Sequence, residues 1–268
     1  MKRKSDENNR SCPLVLAIGG HDPSGAGLHA DIETCAALEC MAVSIVTALT
    51  TQNTASVYRV IPTDPVEIRR QIVTLLEELE IDVCKIGLVP TRAASKMLGT
   101  LFRDELDGCP LILDPVLSAG SGGNLSCADM RESILTELVP HAALVTPNES
   151  ELQALTSCSD VEQGILKLRQ AGAKAVLVTD CENNRHCITN RLYLPDRLPE
   201  VFEMRRFPGT YHGTGCTLAS AVACYYAVGM PLRTAVANAQ TFTHSSVAAA
   251  HTFGASQAIP NRFSTFTR

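Results

Sequence analysis

Short runs of branched apolar residues recur along this chain, each followed by a stretch with helical spacing, and that alternation limits its fold more than any other feature. Residues 14–18, 43–49, 83–87, 111–116, 143–146 and 175–179 read as buried strands. Between them, 30–38, 65–80, 93–106, 130–138, 149–155 and 161–170 read as helices. The stripe Ile68, Ile72, Leu75, Leu76 and Leu79 is the clearest of these. Such a rhythm calls for a mostly parallel sheet with helices on both faces. It breaks once, where 186–194 and 201–207 read as strands joined by a turn at Pro195-Asp196, which predicts one antiparallel edge. Two Ala-rich helices, 217–228 and 232–250, follow.

Apolar residues make up 45% of the 268, enough for a large core. The net charge of −5 carries no basic patch, which argues against nucleic acid as a partner. No apolar run is long enough to cross a bilayer. Eleven cysteines without a C-x-x-C pair, set mostly in apolar runs, read as reduced thiols of a cytoplasmic protein. Residues 1–11 are polar and charged, and we expect a disordered tail there, with residues 12–268 as one domain.

Ligands of open α/β sheets sit beyond the carboxyl ends of the strands. The polar residues that interrupt the apolar pattern fall there: Gly19-Gly20-His21-Asp22, Thr51-Gln52-Asn53, Asp114-Pro115, Thr146-Pro147-Asn148 and Thr179-Asp180. The segment Tyr211-His212-Gly213-Thr214-Gly215-Cys216-Thr217-Leu218 opens an apolar helix with two glycines and a thiol. Free N–H groups and the positive end of a helix dipole favour an anion there. A helix N-terminus also commonly lowers a thiol's pKa from about 8.5. Cradle and proton acceptor together point to phosphoryl transfer, while a plain helix cap over a buried cysteine is the alternative. Asn148 and Glu151 read either as a capping box or as groups near a magnesium ion held largely through water. His21, His29 and His212 lie in or beside these loops. Cys181, His186 and Cys187 fit no standard zinc spacing.

These motifs resemble the ribokinase superfamily, specifically the hydroxymethylpyrimidine and phosphomethylpyrimidine kinases of thiamine biosynthesis. The resemblance runs from Leu14 to Phe263. It rests on Gly20-His21-Asp22-Pro23-Ser24-Gly25-Ala26-Gly27 with Ala30-Asp31, on Val46 through Thr54, on Lys85-Ile86-Gly87-Leu88 and on Leu113-Asp114-Pro115-Val116. Thr146 through Glu151 and His212 through Thr217 complete it. It implies a three-layer α/β/α sandwich, ATP and Mg²⁺ as cofactors, a small pyrimidine as substrate, and a homodimer. Gly213, Thr214 and Gly215 would form the anion hole, with Cys216 at the family's base position. Gly20, Asp22, Asp31 and Gln52 would line the substrate pocket, Gln52 reading the pyrimidine's nitrogen and amine. Asn148, Glu151 and Thr179 would serve the nucleotide, and Asp114 and Glu151 the metal. Two positions depart from the family pattern. The first loop is one glycine short at Ser24-Gly25-Ala26-Gly27, and Val178-Thr179-Asp180-Cys181 lacks the usual lysine, placing a carboxylate near the expected triphosphate. A pyridoxal kinase and a non-catalytic pyrimidine-binding protein on the same fold therefore stay open.

Overall fold

Branched apolar residues buried on both faces make the central strands, and their order fixes where a ligand can sit. The computed structural model describes residues 12–117, 128–181, 186–254 and 256–264; the tail expected over 1–11 lies outside them. Nine strands form one sheet: β1 (Leu14–His21), β2 (Met41–Gln52), β3 (Val57–Pro62), β4 (Val83–Ile86), β5 (Leu111–Leu113), β6 (Ala142–Val145), β7 (Val176–Val178), β8 (Cys187–Tyr193) and β9 (Glu200–Arg205). Their spatial order is β3-β2-β1-β4-β5-β6-β7-β8-β9. The block from β2 to β7 is parallel, and β3, β8 and β9 run antiparallel at the two edges. The antiparallel edge expected over 186–207 is present as β8 and β9, and β3 adds a second at the opposite side. β3, Val57–Pro62, is half-buried or exposed along its length, and Arg59 interrupts its short apolar stretch.

Helices α2 (Pro65–Leu76), α3 (Arg92–Asp104), α4 (Ala128–Ser133), α5 (Glu149–Thr156) and α6 (Val161–Gln170) cover one face. A π-helical turn over Ile134–Leu138 continues α4. The other face is covered by α1 (Gly27–Ala37), α7 (Thr214–Ala227) and α8 (Leu232–Ala248). The result is the three-layer α/β/α sandwich. Starts are set locally: Asp64 caps α2 ahead of Pro65, Thr91 caps α3, and Asp160 caps α6. Ala219, Ser220, Ala221 and Ala223 are fully buried, so α7 lies close against the sheet.

The chain leaves β1 for β2 on one side and returns through α2 to β4 on the other, so the strand order reverses at β1. A crevice opens at such a switch point. Gly27 closes it tightly, with a φ of +53° and its Cβ direction ending 2.3 Å from the Gly20 carbonyl oxygen. Only glycine fits both demands. We expect Gly27→Ala to destabilise the fold by more than about 1 kcal/mol, read as a lower urea midpoint with unchanged slope. An unchanged midpoint would show that this turn is free to relax.

Candidate functional site

The carboxyl ends of β1, β2, β4, β5, β6 and β7 meet the N-terminus of α7 around a cavity of about 250 Å³. Gly20, Asp22 and Gln52 line it, as do Asp114, Asn148, Glu151, Thr179, Gly213, Thr214, Gly215 and Cys216. A second cavity of about 510 Å³ adjoins it and shares Asn148, Thr179, Tyr211, Thr214, Gly215 and Leu218. Of the site residues that the family resemblance implies, Asp31 alone does not line the first cavity. It is fully buried one layer below, where its carboxylate accepts from Lys85 Nζ at 2.8 and 3.1 Å and from Ser220 Oγ at 2.6 Å.

Helix α7 begins earlier than the sequence indicates, at Thr214. Gly213 is its N-cap, with φ of +77° and no side chain satisfying the first N–H groups. The cradle is therefore the first helical turn itself. A Cβ on Gly215 would meet no other atom within 4 Å, because that position faces open space. The Thr214 hydroxyl is buried and without a partner at the same place. Uncapped amides, a spare hydroxyl and a helix dipole suit an anion.

Lys85 forms the floor. It is a fully buried lysine at the end of β4, and its ammonium pairs with Asp31 and stands 3.8 Å from Asp114 Oδ2. Burial opposes its charge, but Asp31, Cys216 and Asp114 together hold its pKa above the usual lysine range. The sequence quotes Lys85 within a motif without giving it a task. A charged residue inside the apolar run Val83-Cys84-Lys85-Ile86 was the available signal. A side chain on Gly87 would meet Lys85 Nζ at 3.0 Å, so the glycine leaves the lysine its room.

The acids around this floor are displaced in opposite directions. Burial raises Asp114, with Asp31 adding to it, against the pull of Lys85 and a hydrogen bond from the Cys216 thiol. Asp114 Oδ2 has no hydrogen-bond partner. Burial and the Asp114 charge push Glu151 up to about 8, although the Asn148 and Leu117 N–H groups favour its ionised form. Asp22 goes the other way: burial raises it, but bonds from His212, Ser24 and Gln52 bring it down to about 2. Its Oδ2 lies 2.6 Å from His212 Nε2. His212 thus joins the site through Asp22, while His29 pairs with Glu33 at the surface.

Cys216 corrects an expectation. The helix N-terminus was expected to lower its pKa; burial instead pushes it up to about 12, with Asp114 and Asp31 adding to the rise. Lys85 and the Gly27 N–H favour the thiolate but do not prevail. The resting group is a neutral thiol.

Asn148 and Glu151 form a complete capping box at the start of α5: Asn148 Oδ1 accepts from the Glu151 N–H at 2.9 Å, and Glu151 Oε2 accepts from the Asn148 N–H at 3.0 Å. Cap and cavity wall are one structure, so the two readings in the sequence do not compete. At β7, Thr179 bridges to Asn148, and Asp180, whose φ is +53°, turns its carboxylate into an ion pair with Arg206. The charge expected to oppose a triphosphate therefore has its own cation beside the second cavity. For Mg²⁺, the unpartnered Asp114 oxygen and the Glu151 carboxylate are suitable hard oxygen donors. Among the described residues no three His, Cys, Asp or Glu side chains converge on a metal position.

A family model described as phosphomethylpyrimidine kinase matches residues 22–261. The hydroxymethylpyrimidine/phosphomethylpyrimidine kinase of Rhizobium meliloti is 33% identical over 244 residues, which is 88% of this chain and 91% of the relative. A Saccharomyces cerevisiae enzyme of the same name is 33% identical over 261 residues, 90% of this chain; the chain spans about half its length, 47%. Among solved structures, pyridoxal kinase from Staphylococcus aureus in complex with pyridoxal superposes with a TM-score of 0.84 at 23% identity, covering 95% of both chains. That likeness speaks for the fold alone. Phosphomethylpyrimidine kinase from Clostridium difficile gives 0.76 at 26% identity, covering 88% of this chain and 99% of that one. With matching sequence over nearly the whole length and the family's motifs gathered around one cavity, the chain belongs to the phosphomethylpyrimidine kinase family.

Proposed function

We propose that this protein transfers the γ-phosphoryl group of ATP to 4-amino-5-hydroxymethyl-2-methylpyrimidine, to its monophosphate, or to both, in thiamine biosynthesis. The observation that carries the reading is the meeting of two cavities at the uncapped first turn of α7. The smaller cavity suits a single-ring substrate and the larger one a nucleotide, with the transferred group between them. In this reading Gln52 donates one amide hydrogen to Asp22 and keeps its carbonyl oxygen for the substrate's exocyclic amine. Gly20 lets the ring lie close to the β1 backbone. Asn148, Glu151 and Thr179 face the nucleotide's phosphates, and Asp114 and Glu151 hold Mg²⁺, whose charge stabilises those phosphates when it is bound. Catalysis rests on placement and charge.

Cys216 takes the proton of the substrate hydroxyl or, on the monophosphate, of its phosphate. Burial, with Asp114 and Asp31 behind it, opposes the thiolate, and a cation held by Asp114 would offset that carboxylate's share. Lys85 and the Gly27 N–H then favour the thiolate. The free thiols throughout the described chain suit the reducing cytoplasm. A single kinase unit over residues 12–268 and a homodimer complete the reading.

Purified protein should release ADP only when Mg²⁺ and the aminopyrimidine are both present, with kcat/KM well above that for pyridoxal, whose ring lacks the amine. Preference for pyridoxal would move the assignment to that vitamer, and binding without turnover would make the protein a sensor. Cys216→Ala should lower kcat by about 100-fold or more while the pyrimidine Kd stays close to wild type, and the rise of kcat with pH should flatten. Equal kcat would remove the thiol from the reaction.

Glu151 gives an independent test in the ligand-free protein. A carboxyl raised to about 8 contributes stability as the neutral acid, and that stability is lost as pH climbs from its unfolded value of 4.5 toward 8. Glu151→Gln should therefore melt several degrees above wild type at pH 8 and converge with it near pH 5. Added Mg²⁺ and nucleotide should raise the melting temperature of wild type more than that of the variant. A variant no more stable than wild type at pH 8 would contradict the buried-charge account.

A further inference from the structure

The segment after α8 runs from the substrate side of the site to the back of the cradle. Gln257 Oε1 lies 3.0 Å from His212 Nδ1, and Ala258 bridges to Tyr211 through the His212 N–H at 2.8 Å. Ile259 pairs with His251, and its side chain lies where a Cβ on Gly25 would come within 3.0 Å. Asn261 is tied to the Ser246 carbonyl at 2.9 Å. Arg262 then turns inward with 1% of its surface exposed.

Its guanidinium donates in three directions: Nε to Thr217 Oγ1 at 2.9 Å, Nη1 to Glu33 Oε2 at 2.8 Å, and Nη2 to the Gly25 carbonyl at 2.8 Å. Thr217 passes the contact on, donating to the Gly213 carbonyl at 2.8 Å. A Cβ on Gly213 would come within 2.9 Å of Arg262 Nη2, so the charged fork lies directly behind the N-cap of α7. Burying a guanidinium is costly, and an apolar side chain of similar size would fill the space at least as well. What the arginine adds is a rigid three-way link with positive charge behind an anion site. It joins the shortened loop Ser24-Gly25-Ala26-Gly27, the helix that follows it, and the first turn of α7.

We propose that Arg262 is a positioning residue for phosphoryl transfer. It fixes the loop over the substrate cavity relative to the phosphate cradle, so that the acceptor hydroxyl and the transferred group meet in one geometry. The proposal rests on the kinase reading above, and its test includes a measurement that needs no substrate. In Arg262→Lys the charge remains but the fork does not. Amide hydrogen exchange at 24–27 and at 217–220, where the hydrogen-bonded amides of α7 begin, should then rise together by about tenfold. The kcat should fall by about 10- to 100-fold, while the Kd of pyrimidine and of ATP each stay within about threefold of wild type. Thr217→Val, nearly isosteric, should give the same pattern at smaller size, and it carries the test if the lysine variant fails to fold. Exchange that rises in one segment only, or a folded variant with kcat within about twofold of wild type, overturns the proposal. A wild-type protein inactive on every pyrimidine would fell the kinase reading, and the exchange data would still decide whether Arg262 couples loop and cradle.

Discussion

One buried ion pair organises this protein. Lys85 and Asp31, each with 1% of its side chain exposed, meet at 2.8 Å and join β4 to α1, with Ser220 of α7 on the same carboxylate. A lone buried lysine would lose its proton or unfold its surroundings. Pairing secures its charge, and Asp114 stands beside the pair as a second carboxylate. The floor of the cavity thus holds two acids against one ammonium. Burial, with that surplus added, raises Asp114, Glu151 and Cys216 together. Each would be relieved by a cation entering with the phosphates.

Topology brings these groups together. The reversal of strand order at β1 opens the crevice, and five further strand ends deliver their polar residues to it. Small residues in α7 let that helix lie close to the sheet, so its uncapped turn points across the crevice. The anion site proposed there would be built from backbone amides, which no single side-chain substitution removes.

Much of this was legible because its causes are local. Apolar runs marked β1, β2, β4, β5, β6 and β7, and the stripe from Ile68 to Leu79 marked α2. The strand-end rule gathered Gly20, Gln52, Asp114, Asn148 and Thr179 onto one rim before any coordinates. What escaped depends on distant partners or on burial. Arg262 gave no signal because its three acceptors lie 45, 229 and 237 residues away in sequence. Asp31 looked like a pocket residue by its place after a glycine loop, yet Lys85, 54 positions on, draws it inward. Cys216 was judged by its helix position, but desolvation beside two carboxylates outweighs the dipole. Asp180 resembled a liability at the triphosphate until Arg206 proved to be its partner.

Family membership fixes the class of chemistry, and the Gln52–Asp22 wall bears on which ring is accepted. The most direct measurement is phosphorus NMR of the purified protein with ATP, Mg²⁺ and 4-amino-5-hydroxymethyl-2-methylpyrimidine. The account predicts a new phosphomonoester signal coupled to two methylene protons, growing as the γ-phosphate signal declines. In a parallel sample with the monophosphate as acceptor it predicts a new diphosphate pair instead; loss of the γ-phosphate with only inorganic phosphate appearing, or no loss at all, with both acceptors would contradict it.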